Sequence, residues 1–365
     1  MNNAQLNGLS EDYKIIEAHC HLLYEMPVNK TVEIFNGFLE YFGFERLALL
    51  SCPHSTKAES KGETETQNIN TIYCKSKLDG KAYAYGHLVY GFDETDTSEK
   101  FLNQAKRMIA QGFDGFKMLE GKPELRKKIS KRLDDSMYDA YYKFCEDNEI
   151  PIIFHLADPP RNWDKSQMDE YSVKMGWFCD ESYPTKAEFH EEMEGIMRKF
   201  PKLKMTIAHF SFLSDDVKMA SHLFDTYENL MFDLTPNAYE FEDFAENPEV
   251  WKEFFAKYQD RIIYGSDAYN YEFYTKFAHV TRINQVRRFL ETDEEVKCTT
   301  KTVKGFKLPK EIIKKIYYDN FYKTVGEPEP ICRELVLAEA EELLVNSLDF
   351  CENAKENLKT IIEEL

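Results

Sequence analysis

His19 and His21 stand two residues apart in Ile15-Ile16-Glu17-Ala18-His19-Cys20-His21-Leu22, a short and mostly apolar run. Residues i and i+2 of a β-strand project to the same side. Both imidazoles therefore face one way, at a spacing suited to one metal ion. Taken alone, such a pair serves equally well as the polar face of a strand, so its meaning depends on the other ligand-type residues. His155 lies in PIIFHLA (151–157), His209 in KMTIAHF (204–210), and Asp267 closes RIIYGSD (261–267). A divalent ion of the zinc type takes three or four nitrogen and oxygen ligands at about 2.0–2.2 Å. Two histidines from one strand, one from across a barrel and one carboxylate supply that set, with a position left for water. Each residue also has a plainer reading. His155 and His209 could be hydrogen-bonded core histidines, and Asp267 after Gly265-Ser266 a turn or N-cap residue. Their joint appearance at strand ends favours a shared ion.

The elements that must position these residues alternate along the chain. Apolar runs at 15–22, 46–52, 82–90, 115–119, 151–157, 204–210, 230–235 and 261–267 read as strands. Between most of them lie helical stripes, such as Phe35, Phe38, Leu39 and Phe42 within 31–42, or Phe101, Ala105, Met108 and Ile109 stopped at Gly112. The polar stretch 55–70 reads as loop or the start of a helix. Strands alternating with helices require parallel pairing and right-handed crossovers. Eight such units fit a closed (β/α)8 TIM barrel of the α/β class, whose strands carry their chemistry at the carboxyl ends. A doubly wound open sheet is the alternative, but it usually shows a glycine-rich turn after its first strand. Here that strand ends in histidines.

Three segments exceed a minimal barrel. Residues 158–184 form a long loop after strand five, read as a cover for the mouth because it begins where barrel sites lie. Residues 294–308 form a lysine-rich excursion. The domains are therefore read as a barrel over 1–326 and a C-terminal helical extension over 327–365. The extension follows a Pro-rich break and keeps near-heptad apolar spacing from Leu344 to Leu365. It is expected to pack on its own barrel, with homo-oligomerisation through it as the alternative.

Of 365 residues, 43% are hydrophobic and 30% charged, an ordinary globular balance. A net charge of −19 argues against nonspecific nucleic-acid binding. No apolar run approaches a membrane span, the first ten residues lack a signal-peptide core, and no C-x-x-C pair occurs among eight cysteines. The expectation is a cytoplasmic enzyme with reduced thiols and a small-molecule substrate.

The same residues resemble the amidohydrolase superfamily, and within it the amidohydrolase-2 branch that includes the aminocarboxymuconate-semialdehyde decarboxylase-like enzymes. The resemblance runs from residue 14 to about 325. It rests on the His19/His21 pair, PIIFHLADPP, FPKLKMTIAHF, RIIYGSDA and the closing LPKEIIKKIYYDNFYKTVG. It implies one divalent ion held by His19, His21, His155 and Asp267, most naturally Zn2+, with Mn2+, Fe2+ or Co2+ as alternatives. It further implies that Asp267 orients or deprotonates a metal-activated water, and that His209 polarises the substrate and moves protons.

Lys117, which ends strand four in GFKML, has three readings. It holds a substrate carboxylate, pairs with Glu120 or Asp114, or is carboxylated and bridges a second metal. Arg161 and Trp163 in the long loop are candidates for gripping a flat anionic substrate, by a guanidinium fork and an indole face. His54 reads as a surface residue and His87 as filling of a barrel layer. The reading is a metal-dependent hydrolase of an amide, ester, lactone or similar bond. Non-oxidative decarboxylation on the same site is the alternative, and a non-catalytic metal-binding barrel a remote third.

Overall fold

The computed structural model describes residues 9, 12–22, 26–52, 62–168, 170–237, 239–270 and 278–365, without the side chains of 171 and 278–280. Strand and helix alternate throughout. The elements are β1 Ile16–His21, α1 Val28–Phe42, β2 Arg46–Leu50, α2 Glu63–Ser76, β3 Ala82–Gly86, α3 Ser98–Gln111 and β4 Gly115–Gly121. Next come α4 Pro123–Ile129, α5 Asp139–Asp147, β5 Ile152–Leu156, α6 Glu170–Lys174, α7 Lys186–Lys199, β6 Met205–Ile207, α8 Val217–Thr226 and β7 Leu230–Asp233. After them lie α9 Glu240–Phe244, α10 Pro248–Lys257, β8 Ile262–Ile263, β9 Ala268–Tyr269 and α11 Ala278–Glu291. The hairpin strands β10 Glu295–Lys297 and β11 Thr302–Lys304 and the helices α12 Lys310–Lys314, α13 Asn320–Val325, α14 Arg333–Val345 and α15 Glu352–Glu364 complete the described chain.

The strands pair in parallel in the order β8-β7-β6-β5-β4-β3-β2-β1-β9. The two ends of that order, β8 and β9, are joined directly by residues 264–267, and Ala18 N donates to Tyr264 O at 3.3 Å. Of the strand expected over 261–267 only Ile262–Ile263 pairs, on β7; the second piece, Ala268–Tyr269 on β1, lies just beyond it, and together they close the (β/α)8 barrel.

The apolar runs are continuous because each strand is buried on both faces. Alternate residues feed two cores. Ile16, Ala18, Ala48, Leu50, Tyr83, Tyr85, Ile153, Met231 and Ile263 fill the lumen, with Phe321 of α13 packed against Tyr83 at its floor. The residues between them join the layer under the helices. In α1 that layer takes Ile34, Phe35, Phe38, Leu39 and Phe42, and Gly43 ends the helix in the left-handed conformation at φ 68°.

Three segments carry more structure than the sequence alone shows. Within the polar 55–70 stretch, read as loop or the start of a helix, α2 begins at Glu63, and its Ile69, Ile72 and Tyr73 are buried. The lysine-rich excursion contains the antiparallel hairpin β10–β11. The C-terminal extension is a pair of helices broken after Val345, and it packs on α2. Leu358 and Ile361 of its stripe are fully buried in this chain, Asn357 Oδ1 accepts from Val28 N at 2.8 Å, and Tyr73 OH donates to Glu364 at 2.6 Å. No described helix is long and apolar enough to cross a membrane.

Asp114, just before β4, is one of the fold's buried ties. Its Oδ2 accepts from Lys75 Nζ at 2.6 Å and Ala84 N at 2.7 Å, and its Oδ1 accepts from Glu329 N at 2.7 Å. The carboxylate named above as an ion-pair partner for Lys117 is therefore committed to Lys75. Asp114→Ala would leave a buried ammonium unpaired, and denaturant unfolding should show a loss of about 3–5 kcal/mol. A loss below about 1 kcal/mol would remove this pair from the structural account.

Candidate metal centre

β1 turns its histidines inward through a bulge. Glu17 is opposite Leu47 and Cys20 opposite Leu49, so three steps along β1 match two along β2. A one-residue excess reverses which face the following residues present. Ile16 and Ala18 point into the lumen, Cys20 joins the outer layer, and His19 and His21 take the lumen side at its carboxyl end.

Both rings are then fixed by their Nδ1 atoms. His19 Nδ1 donates to Asp233 Oδ2 at 2.7 Å, and His21 Nδ1 lies 3.2 Å from Cys52 Sγ. The two Nε2 atoms are left facing each other at 2.9 Å. Asp267 Oδ1 lies 3.3 Å from His21 Nε2 and 4.0 Å from His19 Nε2. These three side chains bring their donor atoms within 4.8 Å of one another. Ligands of one ion with ~2.1 Å bonds stand about 3.0–3.4 Å apart at 90–110°. Two imidazoles oriented from behind, with a carboxylate beside them, are the donor chemistry of a divalent cation site, so the residues present fit the ion.

The local charges agree. Burial, with Lys117 and His21 beside it, holds His19 well below the usual imidazole range. Burial also disfavours a charged His21, but Cys52 and Asp267 outweigh it and push His21 up to about 9. Burial opposes ionisation of Asp267 as well, yet Arg282 and His21 hold its carboxyl well below the usual range. Arg282 donates to Asp267 Oδ2 at 2.7 Å and to its backbone oxygen at 2.9 Å. The pocket thus favours positive charge between His21 and Asp267.

His155 stands beside this triad rather than within it. It follows Ile153 on the lumen face of β5, and its Nε2 lies 3.3 Å from Asp158 Oδ1. Its ring packs edge-on against His209 at 5.0 Å between centroids. His209 follows β6 by two residues, at the start of a one-turn left-handed segment: His209, Phe210, Ser211 and Phe212 have φ of 55°, 51°, 55° and 49°. Each such residue costs about 1–2 kcal/mol. Asp233 Oδ1 accepts from His209 N at 2.8 Å, His190 Nε2 lies 3.1 Å from Ser211 Oγ, and Phe210 is enclosed by Phe232, Phe244, Trp251, Phe254 and Phe255. Burial, then His155, keeps the His209 imidazole well below its usual range.

Lys117, opposite Ile153 in the β4–β5 register, places Nζ 3.3 Å from His19 Nε2. Burial lowers its pKa. Arg161 lies over Tyr239, 3.6 Å from the ring centroid, and 3.8 Å from Asp243 Oδ1. Trp163 does not offer its face to the donors. Its Nε1 donates to Pro184 O at 3.0 Å, its ring packs on Phe189, and it lines a cleft with Arg126, Lys127 and Tyr183. The indole thus ties the long loop's two ends together and to α7. His87 is buried, with Nδ1 2.6 Å from Leu88 O and Nε2 3.8 Å from Glu120. His54 lies outside the described residues.

Sequence reasoning missed Glu17, Cys52, Asp233 and Arg282. Asp233 carried a usable signal, being the one charged residue in the apolar run LMFDLT. Lys122 was also missed. It sits after β4, 5.8 Å from the Trp177 centroid; burial opposes its charge, but the acidic groups around it, Asp158 and Glu124 foremost, together raise its pKa.

A parallel barrel with a convergent His-His-carboxylate group at the strand ends defines a metal-dependent (β/α)8 enzyme. The family model described as Amidohydrolase matches residues 82–326, and the chain belongs to that amidohydrolase family. The matched span includes Lys117, His155, His209 and Asp267 and begins after the His19/His21 pair. No curated protein matches the chain. Solved structures with the same fold include an uncharacterised TIM-barrel protein from Bordetella bronchiseptica, at 14% identity and TM-score 0.53, covering 86% of this chain and 98% of that one. A 2,6-dihydroxybenzoate decarboxylase from Rhizobium aligns at 12% identity and TM-score 0.52, covering 86% and 98%. A dihydroxybenzoic acid decarboxylase from Polaromonas, with bound manganese and 2-nitroresorcinol, aligns at 12% and 0.52, covering 86% and 97%.

Gly265 marks how tightly the site is built. A Cβ there would lie 2.5 Å from Thr235 Oγ1 and 3.0 Å from His19 Cβ. Gly265→Ala should push on His19 and weaken Zn2+ binding about 10-fold or more in chelator competition. Unchanged affinity in the folded variant would show that His19 is not so constrained.

Proposed function

We propose that this protein hydrolyses an amide, ester, lactone or similar bond in a small polar or carboxylated molecule, with one divalent ion held by His19, His21 and Asp267 and His155 as the fourth donor. The observation that carries the reading is the His-His-Asp convergence with a further neutral imidazole, His209, packed beside it. A bound ion would polarise the scissile group and lower the pKa of water. Asp267 would orient or deprotonate the attacking water. His209 has its Nδ1 3.2 Å from Thr235 O. Donation there leaves Nε2 as the acceptor in a ring that burial keeps unprotonated near neutrality, so it can take up a proton and return it to the leaving group. Zinc suits the nitrogen-rich donors. Manganese is the second choice, since the similar Polaromonas structure carries it. A second ion would require Lys117 to be carboxylated.

Decarboxylation is the second reading, and Lys117 favours it. A buried lysine nitrogen 3.3 Å from His19 Nε2 is placed to meet a carboxylate beside the ion. Arg161, at the rim of the long loop, and Lys122 would then steer an anion inward.

His209→Asn should lower kcat about 10²–10⁴-fold across a panel of amides, lactones and aromatic carboxylates. Turnover equal to wild type on an accepted substrate would remove His209 from the chemistry. On any accepted substrate, 18O uptake from water without carbon dioxide release supports hydrolysis, and carbon dioxide release without 18O uptake replaces it with decarboxylation.

A further inference from the structure

Two of the strands that carry the donors depart from regular pairing at the same level of the barrel. Ala18 N donates to Tyr264 O, and pairing resumes with Cys20 opposite Ala268 and His21 opposite Tyr269. Between those points β1 bulges, while Gly265, Ser266 and Asp267 leave the ladder and Asp267 adopts φ 57°. That departure lets the Asp267 carboxylate reach the histidines. It also strips the His19 and Ser266 N–H groups of regular strand acceptors, and both residues are fully buried. A buried N–H without a partner is costly. Glu17 Oε1 accepts from both, at 3.0 Å from His19 N and 2.8 Å from Ser266 N, and Glu17 is itself fully buried.

We propose that Glu17 is a positioning residue for the metal centre, its Oε1 standing in for a strand carbonyl and locking the His19/His21 bulge to the Ser266-Asp267 turn. One oxygen ties together the two segments that supply His19, His21 and Asp267, so between the paired residues on either side their separation is set by a side chain. Glu17 points to the outer side of β1 and makes no contact with the donor atoms in this arrangement. Its effect on them runs through backbone alone. The inference rests on the reading of His19, His21 and Asp267 as ligands.

The test is metal affinity in the full-length chain, stripped with a chelator and titrated with Zn2+ and, separately, Mn2+. Wild type should take up one ion. Glu17→Gln keeps an acceptor oxygen at the same reach and should stay within about 3-fold of wild type, whereas Glu17→Ala should bind about 10–100-fold more weakly. Glu17→Asp, one methylene short of spanning both donors, should also bind more weakly than Glu17→Gln. Affinity of Glu17→Ala within about 2-fold of wild type, or Gln as weak as Ala, would overturn the proposal. If Glu17→Ala does not fold, the Gln and Asp variants decide, and equal affinity in the two overturns it. Absence of metal uptake by wild type would instead overturn the ligand reading, and this inference with it.

Discussion

One buried carboxylate, Asp233, couples the strands on which the site depends. It ends β7 at the lumen's upper rim, fully buried, and uses both oxygens. Oδ2 accepts from His19 Nδ1 at 2.7 Å, and Oδ1 accepts from His209 N at 2.8 Å and Thr235 N at 3.1 Å. A carboxylate out of water is tolerable only when several donors surround it, and here three do. The arrangement fixes the tautomer of His19, so that Nε2 is the nitrogen offered to an ion. The same group anchors the first residue of the left-handed turn. The His19 ring and the His209 backbone are therefore mechanically joined through one side chain.

The left-handed turn shows where the fold spends stability on function. Four successive non-glycine residues at positive φ persist only where the surroundings over-determine them. Phe210 supplies most of that constraint by sitting in an aromatic cluster between β7 and the helices α9 and α10. His190 and Lys186 of α7 hold the turn from its other side, through Ser211 Oγ and Phe212 O. The result is an imidazole, His209, presented beside His19 and His155 on a backbone with little freedom to move. Such rigidity is what a proton carrier needs if it is to meet its substrate without reorganisation.

The barrel was legible because its strands are buried on both faces and so read as unbroken apolar runs. Helices with a clear stripe, such as α1 and α3, were legible for the same reason. α2 was not, since its buried Ile69, Ile72 and Tyr73 are set among Thr, Gln and Asn and follow a polar stretch. The break in strand eight was hidden because register is a long-range property: RIIYGSDAY is apolar enough for one strand, and only pairing with β1 and β7 splits it. The near-heptad run at the C-terminus concealed a turn, where Leu348 is 93% exposed and so contributes nothing to the stripe. For the site, histidines and Asp267 stood out by residue type and place at strand ends. Cys52 and Arg282 could not, because nothing local says that a cysteine after β2 faces His21 or that an arginine of α11 reaches back to Asp267. Trp163 likewise has partners that the sequence did not show, Pro184 O for its Nε1 and Phe189 for its ring.

The account stands on a single ion between His19, His21 and Asp267. Anomalous diffraction at the metal edge, from crystals of the metal-loaded protein, tests that most directly. The expected result is one peak bonded to His19 Nε2, His21 Nε2 and an Asp267 oxygen at about 2.0–2.2 Å, with Lys117 unmodified. A peak bound elsewhere, no peak, or two peaks bridged by a carboxylated Lys117 would contradict it.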